Sequence, residues 1–347
     1  MIDFRGLPLP VNLLVLVVSA ALVWAAGTRL AQYVDGIAER TGIGRVFAGF
    51  LLLGGVTSLP ELATVVTAAY NDHPNLALGS ILGSVSMNVL LLALADSLIG
   101  RDSLTSVVAH PATLLQGTLG IVLLGVVGAG IVVGEVELFG LGGWSLALVP
   151  LFILAVWMAS RYENRPTWVV AEGSAVSRAA PKEPEGAGHS LTGLVVRSTA
   201  AGLVILFAGY VLAETGDAIS VQTGIGQSMV GFVLIGLVTS LPEISSMVGA
   251  IRLHRYELAI GDIFGTNLFD LLLIPIADIA FRQGAILSTA GRFETLAVFL
   301  GMILTAIYVV GLLDRRNRTV LRMGYDSLAA ILVYFFGLFL LQTIGSG

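Results

Sequence analysis

Apolar residues in this chain neither alternate nor keep to one helical stripe. They run together in blocks of about twenty residues parted by short polar stretches. Roughly 20 mostly apolar residues in a helix span the hydrocarbon core of a bilayer. Ten blocks meet that length: 11–30, 46–69, 76–98, 112–134, 138–160, 193–213, 227–250, 257–280, 293–313 and 323–343. The pattern predicts an all-α membrane protein with ten transmembrane helices. The short alternating segments that mark a membrane β-barrel do not occur in the sequence. The first block carries only Arg5 before it and no clear small-residue cleavage site after it, so it reads as a retained helix.

Composition agrees with the pattern. Of 347 residues 56% are hydrophobic and 12% charged, where a soluble domain carries about 25% charged residues. No cysteine is present, which excludes disulfides, thiolate metal sites and cysteine nucleophiles. Charge adds a direction. With ten alternating spans, 15 of the 18 Lys and Arg residues fall on one side, and only Arg5, Arg282 and Arg292 on the other. The basic side is expected to face the cytoplasm. That predicts an integral multi-pass cell-membrane protein with both termini extracytoplasmic. The net charge of −5 is modest and calls for no nucleic acid or protein partner.

The polar stretch 161–192 divides the chain. Rich in Pro, Glu, Ser, Ala and Gly, and without apolar periodicity, it reads as a flexible cytoplasmic linker between a first unit, 1–160, and a second, 193–347. The two units repeat each other. Residues 41–96 align with 223–278 at a constant offset of 182 without gaps, and about 25 of the 56 positions are identical. Five spans per unit is an odd number, so the units enter the membrane from opposite faces as two inverted five-helix repeats. In such transporters the substrate site lies near the midplane, where interrupted helices of the two repeats meet.

The repeated hexapeptide VTSLPE, at Val56–Glu61 and Val238–Glu243, supplies the interruption and the chemistry. Pro60 and Pro242 lack the N–H of a regular helix and crowd the preceding turn, so helices 2 and 7 are expected to be discontinuous. Thr57, Ser58 and Glu61 stand at i, i+1 and i+4, as do Thr239, Ser240 and Glu243. The next span of each repeat adds Ser84 and Asn88, or Thr266 and Asp270, again four residues apart and on one face. Together these give three carboxylates, one amide and six hydroxyls, all hard oxygen donors and the preference of Ca²⁺ and Na⁺. An ionised carboxylate at bilayer depth costs several kcal/mol unless compensated. Glu61, Glu243 and Asp270 have no Lys or Arg in their own spans. Bound cations or protons are therefore expected to supply the counter-charge.

Other polar residues read as structural. Asp96 and Asp278, eight residues beyond Asn88 and Asp270, read as helix-end residues. Asp262 reads as a favourable charge at a helix N-terminus, Arg292 and Glu294 as an interfacial pair. His73, His110, His189 and His254 read as loop or span-end residues. Gly79, Gly83, Gly261 and Gly265, at four-residue spacing, predict close helix approach. No HExxH occurs and AIGD lacks the context of an aspartyl protease, so no enzyme is expected.

The doubled TSLPE, followed by GSVSMN in one repeat and GTNLFD in the other, resembles the Na⁺/Ca²⁺ exchanger family of the Ca²⁺:cation antiporter superfamily. The resemblance covers essentially the whole transmembrane chain. It implies an antiporter of Ca²⁺ and Na⁺ with no cofactor. Glu61 and Glu243 would be the central carboxylates, surrounded by Thr57, Ser58, Thr239, Ser240, Ser84, Thr266, Asn88 and Asp270. It also implies backbone carbonyls near Gly54 and Gly236 as ligands, and spans one and six as the moving pair. Five positions depart from the family pattern. Val56 and Val238 replace Gly before Thr-Ser, Val85 replaces the first Asn, and Ser80 and Asp262 stand where Asn is usual. These bear on ion ratio and on the coupling ion, and a proton-coupled exchanger of the same fold is the alternative reading.

Overall fold

The computed structural model describes residues 3–41, 54–97, 99, 102–108, 111–138, 140–162, 190–252, 256–314, 319–320 and 323–345. The beginning of the predicted second span and nearly all of the 161–192 linker lie outside them. So do many of the arginines used for orientation, together with His110, His189 and His254.

The described chain is nearly all helix. In order it forms α1 (Leu9–Thr41), α2 (Gly54–Thr57), α3 (Leu59–Tyr70), α4 (Pro74–Asp96), α5 (Leu104–Val107), α6 (Pro111–Val133) and α7 (Gly143–Tyr162). Then follow α8 (Leu191–Thr223), α9 (Gln227–Val230), a π-helical turn (Gly231–Ile235), α10 (Gly236–Thr239), α11 (Leu241–Arg252) and α12 (Tyr256–Ala280). A 3₁₀ turn (Ile286–Thr289), α13 (Arg292–Asp314) and α14 (Tyr325–Gly345) complete it. Two-residue hairpins, Glu137–Leu138 with Leu141–Gly142 and Thr319–Val320 with Met323–Gly324, precede α7 and α14. Among the described residues seven helices are long and apolar enough to cross a membrane, and the pair Gln227–Thr239 and Leu241–Gly249, bent by 40°, makes an eighth candidate.

The repeat reaches far beyond the aligned stretch. α8, α10, α11, α12 and α14 start 182 residues after α1, α2, α3, α4 and α7, the hairpins keep the same interval, and α13 follows α6 by one residue less. Two helices outrun their predicted spans. α8 continues past residue 213 through Glu214, Asp217 and Gln222 because these polar groups find partners in Asn71, Arg5 and the carbonyl of Leu7. A hydropathy window ends where polarity begins, but a helix ends where its backbone runs out of partners.

At the centre stands α4, whose apolar window is buried along its whole length; α12 is buried over 72% of its window. A helix apolar on every side is stable only where every side is covered. Coverage comes from α3, α11, α12, α13, α14 and the α9–α10 segment. The last crosses α4 at Gly79 and Gly83, where a Cβ would overlap the backbone of Ser228 and Phe232. Close approach therefore holds in the first repeat. At Gly261 an added Cβ would meet only Gln116 Oε1 at 3.7 Å, and the repeat-related crossing segment lies outside the described residues. The long helices α1 and α8 pair with each other on the periphery.

Asp96 and Asp278 end α4 and the membrane portion of α12 as predicted, and both are buried. A carboxylate opposes the dipole at a helix C-terminus, and each is held by two backbone amides instead. Asp96 accepts from Leu104 N–H and Gly324 N–H at 2.6 Å each. Asp278 accepts from Ile286 N–H at 2.6 Å and Gly142 N–H at 2.7 Å. Each aspartate thus fastens a turn of its own repeat and the hairpin of the other.

Candidate functional site

Both copies of VTSLPE interrupt a helix at the same residue. Ser58, with φ −77° and ψ 5°, separates α2 from α3; Ser240, with φ −79° and ψ 7°, separates α10 from α11. Each proline sits in the first turn of the new helix, where its missing N–H leaves no partner wanting. Thr57, Ser58, Glu61, Thr239, Ser240 and Glu243 are consequently brought to the two breaks, and all six are buried. α4 contributes Ser84 and Asn88, and α12 contributes Thr266 and Asp270, all four without exposed surface.

The hydroxyls join the two repeats reciprocally. Thr57 Oγ1 lies 3.5 Å from Thr266 Oγ1, and the repeat-related Thr239 Oγ1 lies 3.1 Å from Ser84 Oγ. Ser84 Oγ donates to Glu61 Oε1 at 3.4 Å, and Ser58 Oγ donates to Asp270 Oδ1 at 3.1 Å. Glu243 lies within electrostatic reach of both Glu61 and Asp270. The structure links eight of the twelve predicted residues through their side chains; Ser240 follows Thr239 at the break, and Asn88 lies one turn beyond Ser84 on α4. Gly54 and Gly236 open α2 and α10 directly before the breaks. Gly236 has a further reason to be glycine, since a Cβ there would come within 2.9 Å of the Gly83 carbonyl carbon.

What these groups lack is as informative as what they bond. Buried oxygens ordinarily find a partner. Here Glu61 Oε2, both carboxylate oxygens of Glu243, Asp270 Oδ2, Asn88 Oδ1 and Ser240 Oγ have none among the described residues. Nor does any described Lys, Arg or His pair with the three carboxylates; Asp217 is where Arg5 and His73 find a carboxylate. Among the described residues no three acidic or imidazole side chains converge into a compact metal cluster. A cation held here would therefore take hydroxyl, amide or carbonyl oxygens alongside the carboxylates.

Three sequence readings change. Asp262 is not at a helix N-terminus: α12 begins six residues earlier, at Tyr256, and Asp262 lies buried within it, accepting from Ser246 Oγ. The predicted span already began at residue 257; what the sequence did not show is Ser246 of α11 packed against this carboxylate. Glu294 does not pair with Arg292; it accepts from Gly291 N–H at 2.8 Å and Ser228 Oγ at 2.5 Å, closing the first turn of α13. Asn267, passed over as a site residue, bridges α12 to α4, accepting from Asn88 Nδ2 at 2.9 Å and donating to the Val85 carbonyl at 3.2 Å. Val85 thus offers a carbonyl where its side chain offers no oxygen.

At one end of the molecule a second polar cluster joins four segments. Asp217 of α8 accepts from Arg5 Nε at 2.7 Å and Gln227 Nε2 at 2.8 Å, with His73 Nε2 at 3.4 Å. Asp217 holds the Arg5 proton more firmly than usual, raising that pKa above its ordinary value.

Comparison with known proteins fits this arrangement. The sequence model of the family described as sodium/calcium exchanger protein matches residues 11–172 and 194–343. The antiporter candidate CaxA of Alkalimonas amylolytica is 28% identical over 88% of this chain and 92% of its own. The inner membrane protein YrbG of Escherichia coli K12 is 24% identical over 75% and 76%. Among solved structures, an H⁺/Ca²⁺ exchanger, CAX, superposes with a TM-score of 0.71 at 15% identity, covering 96% of this chain and 85% of that one. The sodium-calcium exchanger NCX_Mj, soaked with Na⁺ and Sr²⁺, gives 0.62 at 15% identity over 95% and 99%. These two likenesses establish a shared fold.

Proposed function

The chain belongs to the sodium/calcium exchanger protein family, and from that premise we propose that it is a secondary-active antiporter exchanging Ca²⁺ for Na⁺ at one midplane site. The observation that carries the reading is the set of unpartnered, fully buried oxygens on Glu61, Glu243 and Asp270, gathered from two broken helices and α12 with no basic side chain beside them. Oxygen-only donors of this number suit Ca²⁺, which takes six to eight, and Na⁺. Thr57, Ser58, Ser84, Asn88, Thr239, Ser240 and Thr266 complete the donor set, with carbonyls near Gly54 and Gly236.

Ten spans in two inverted repeats are part of the same proposal. Its support is the reciprocity of contacts: Asp96 with Gly324 and Asp278 with Gly142, Thr57 with Thr266 and Thr239 with Ser84. Repeat-related atoms exchange roles across the centre, as a two-fold axis requires. Such symmetry gives the chain two equivalent ways to arrange its halves, one open to each side. The pairing is unequal here: α8 lies along α3 more extensively than α1 lies along α11. The positive-inside orientation places the looser side toward the cytoplasm. Sliding of α1 and α8 against α4 and α12 would exchange the two arrangements.

The chemistry of coupling follows from charge. An empty site leaves carboxylates uncompensated in a low-dielectric interior, where each costs several kcal/mol. Loading with Ca²⁺, or with about three Na⁺, removes most of that cost. Crossing is then open to loaded forms and closed to the empty one, which ties the two fluxes together. A proton-coupled reading is the alternative, favoured by the likeness in fold to the H⁺/Ca²⁺ exchanger. Purified protein in proteoliposomes, with Na⁺, K⁺ and H⁺ gradients imposed one at a time, separates the two. Ca²⁺ uptake driven by outward Na⁺ alone supports the proposal, uptake driven only by a pH gradient supports the alternative, and uptake indifferent to every gradient overturns both.

A further inference from the structure

We infer that Asp262 and Ser246, together with Glu243, form a second, outer position for a hard divalent cation, placed on one side of the central site only. This rests on the reading of Glu243 as a cation ligand. Asp262 is a carboxylate in a membrane-spanning helix, with 6% of its surface exposed where Glu243, Thr266 and Asp270 have none. Its Oδ1 is buried and has no partner among the described residues.

The hydroxyl beside it cannot satisfy everything it touches. Ser246 Oγ lies within hydrogen-bond reach of Asp262 Oδ2 and 3.1 Å from the Glu243 carbonyl oxygen. It has one hydrogen, which these two acceptors share, so Ser246 offers Asp262 Oδ2 at most part of a hydrogen bond and offers Oδ1 none. Both side-chain oxygens of Glu243 also lack partners, and Glu243 is within electrostatic reach of Asp262. Carboxylate, hydroxyl, carbonyl and a shared second carboxylate make a small set of hard donors.

This position is distinct from the central one. Asp262 and Asp270 are eight residues apart on α12, a rise of about 12 Å. Calcium–oxygen distances are about 2.3–2.6 Å, so one ion cannot bind both. It is also absent from the other repeat. There Ser80 stands for Asp262 and Thr64 for Ser246, and the Thr64 hydroxyl donates to the Pro60 carbonyl at 2.8 Å, also 3.3 Å from the Gly209 carbonyl. An ion leaving the central site toward Asp262 meets a second carboxylate; one leaving past Ser80 meets none.

The test is isothermal titration of CaCl₂ into the purified full chain in Na⁺-free buffer. Wild-type protein is expected to show two classes of site, the weaker near about 10⁻³ M because the protein supplies few oxygens. Asp262→Ser, which copies the counterpart, and Asp262→Asn, which keeps the shape should the first not fold, are expected to lose the weak class while the tight class shifts less than about threefold. Glu61→Gln is expected to do the reverse, losing the tight class and keeping the weak one. A wild-type isotherm with a single class that Glu61→Gln abolishes and Asp262→Ser leaves unchanged overturns the outer position and leaves the central reading intact. Absence of any Ca²⁺ binding by the wild type overturns both.

Discussion

At the scale of single residues, charge and hydrogen bonding decide which positions carry function. Glu61 and Glu243 sit at the start of α3 and α11, where the helix dipole favours a carboxylate by a few tenths to one kcal/mol. That is far too little to explain burial of both. On the proposed reading the imbalance is met by bound cations, which makes them ligands rather than caps. Glu61→Gln and Glu243→Gln are therefore expected to fold and to reduce Ca²⁺ uptake into proteoliposomes by at least a hundredfold; uptake within threefold of wild type would refute the assignment. Asp278 is the opposite case. Its two amide contacts account for both oxygens. Asp278→Ala leaves two buried donors unpaired, an expected loss of about 2–5 kcal/mol, seen as a lowered melting temperature in detergent. Asp96→Ala is expected to behave alike through Leu104 and Gly324. The sequence could rank these carboxylates by distance from the centre, and did so for Asp96 and Asp278. It could not assign Asp262 a role, which depends on Ser246 of another helix.

At the scale of elements, backbone approach sets the tolerances. α4 is tightly covered because Gly79 and Gly83 admit the backbone of the α9–α10 segment. Gly83→Ala is expected to lower stability by about 1–3 kcal/mol, the usual range for overpacking, because the neighbouring atoms are the backbone of Phe232 and cannot swing aside. Gly120→Ala, with nothing within 4 Å of the added methyl, serves as the control and is expected to leave the melting temperature unchanged or slightly higher. The helices themselves were legible as apolar blocks, since bilayer thickness fixes their length. Their overruns were not, because Asp217 and Glu214 of α8 are tolerated through partners in Arg5 and Asn71, far away in the chain.

At the scale of the whole molecule, the repeat determines how the parts relate. Contacts exchanged between repeat-related residues hold the centre together, while α1 and α8 pair at the periphery and touch the core unequally. If the two sides alternate, a cross-link between α1 and α11 should stop transport. Thr28 Oγ1 lies 3.1 Å from Ser245 Oγ. Cysteines at Thr28 and Ser245, in a chain that has no other, are expected to lose Ca²⁺ flux on oxidation and regain it on reduction. Undiminished flux in the oxidised, cross-linked protein would exclude sliding at this contact.

Chain pattern alone determined the number and length of the apolar blocks, the doubling of the unit, the helix breaks at VTSLPE and the oxygen side chains gathered at them. All of these follow from local chemistry: apolar length, proline, and oxygen side chains at helical spacing. Tertiary structure alone decided which oxygens remain without partners among the described residues, which glycines are crossed by another backbone, and that Asp262 is a buried carboxylate bonded by Ser246 of α11. Each depends on atoms brought from a distant part of the chain, and no spacing along one helix records what packs against it.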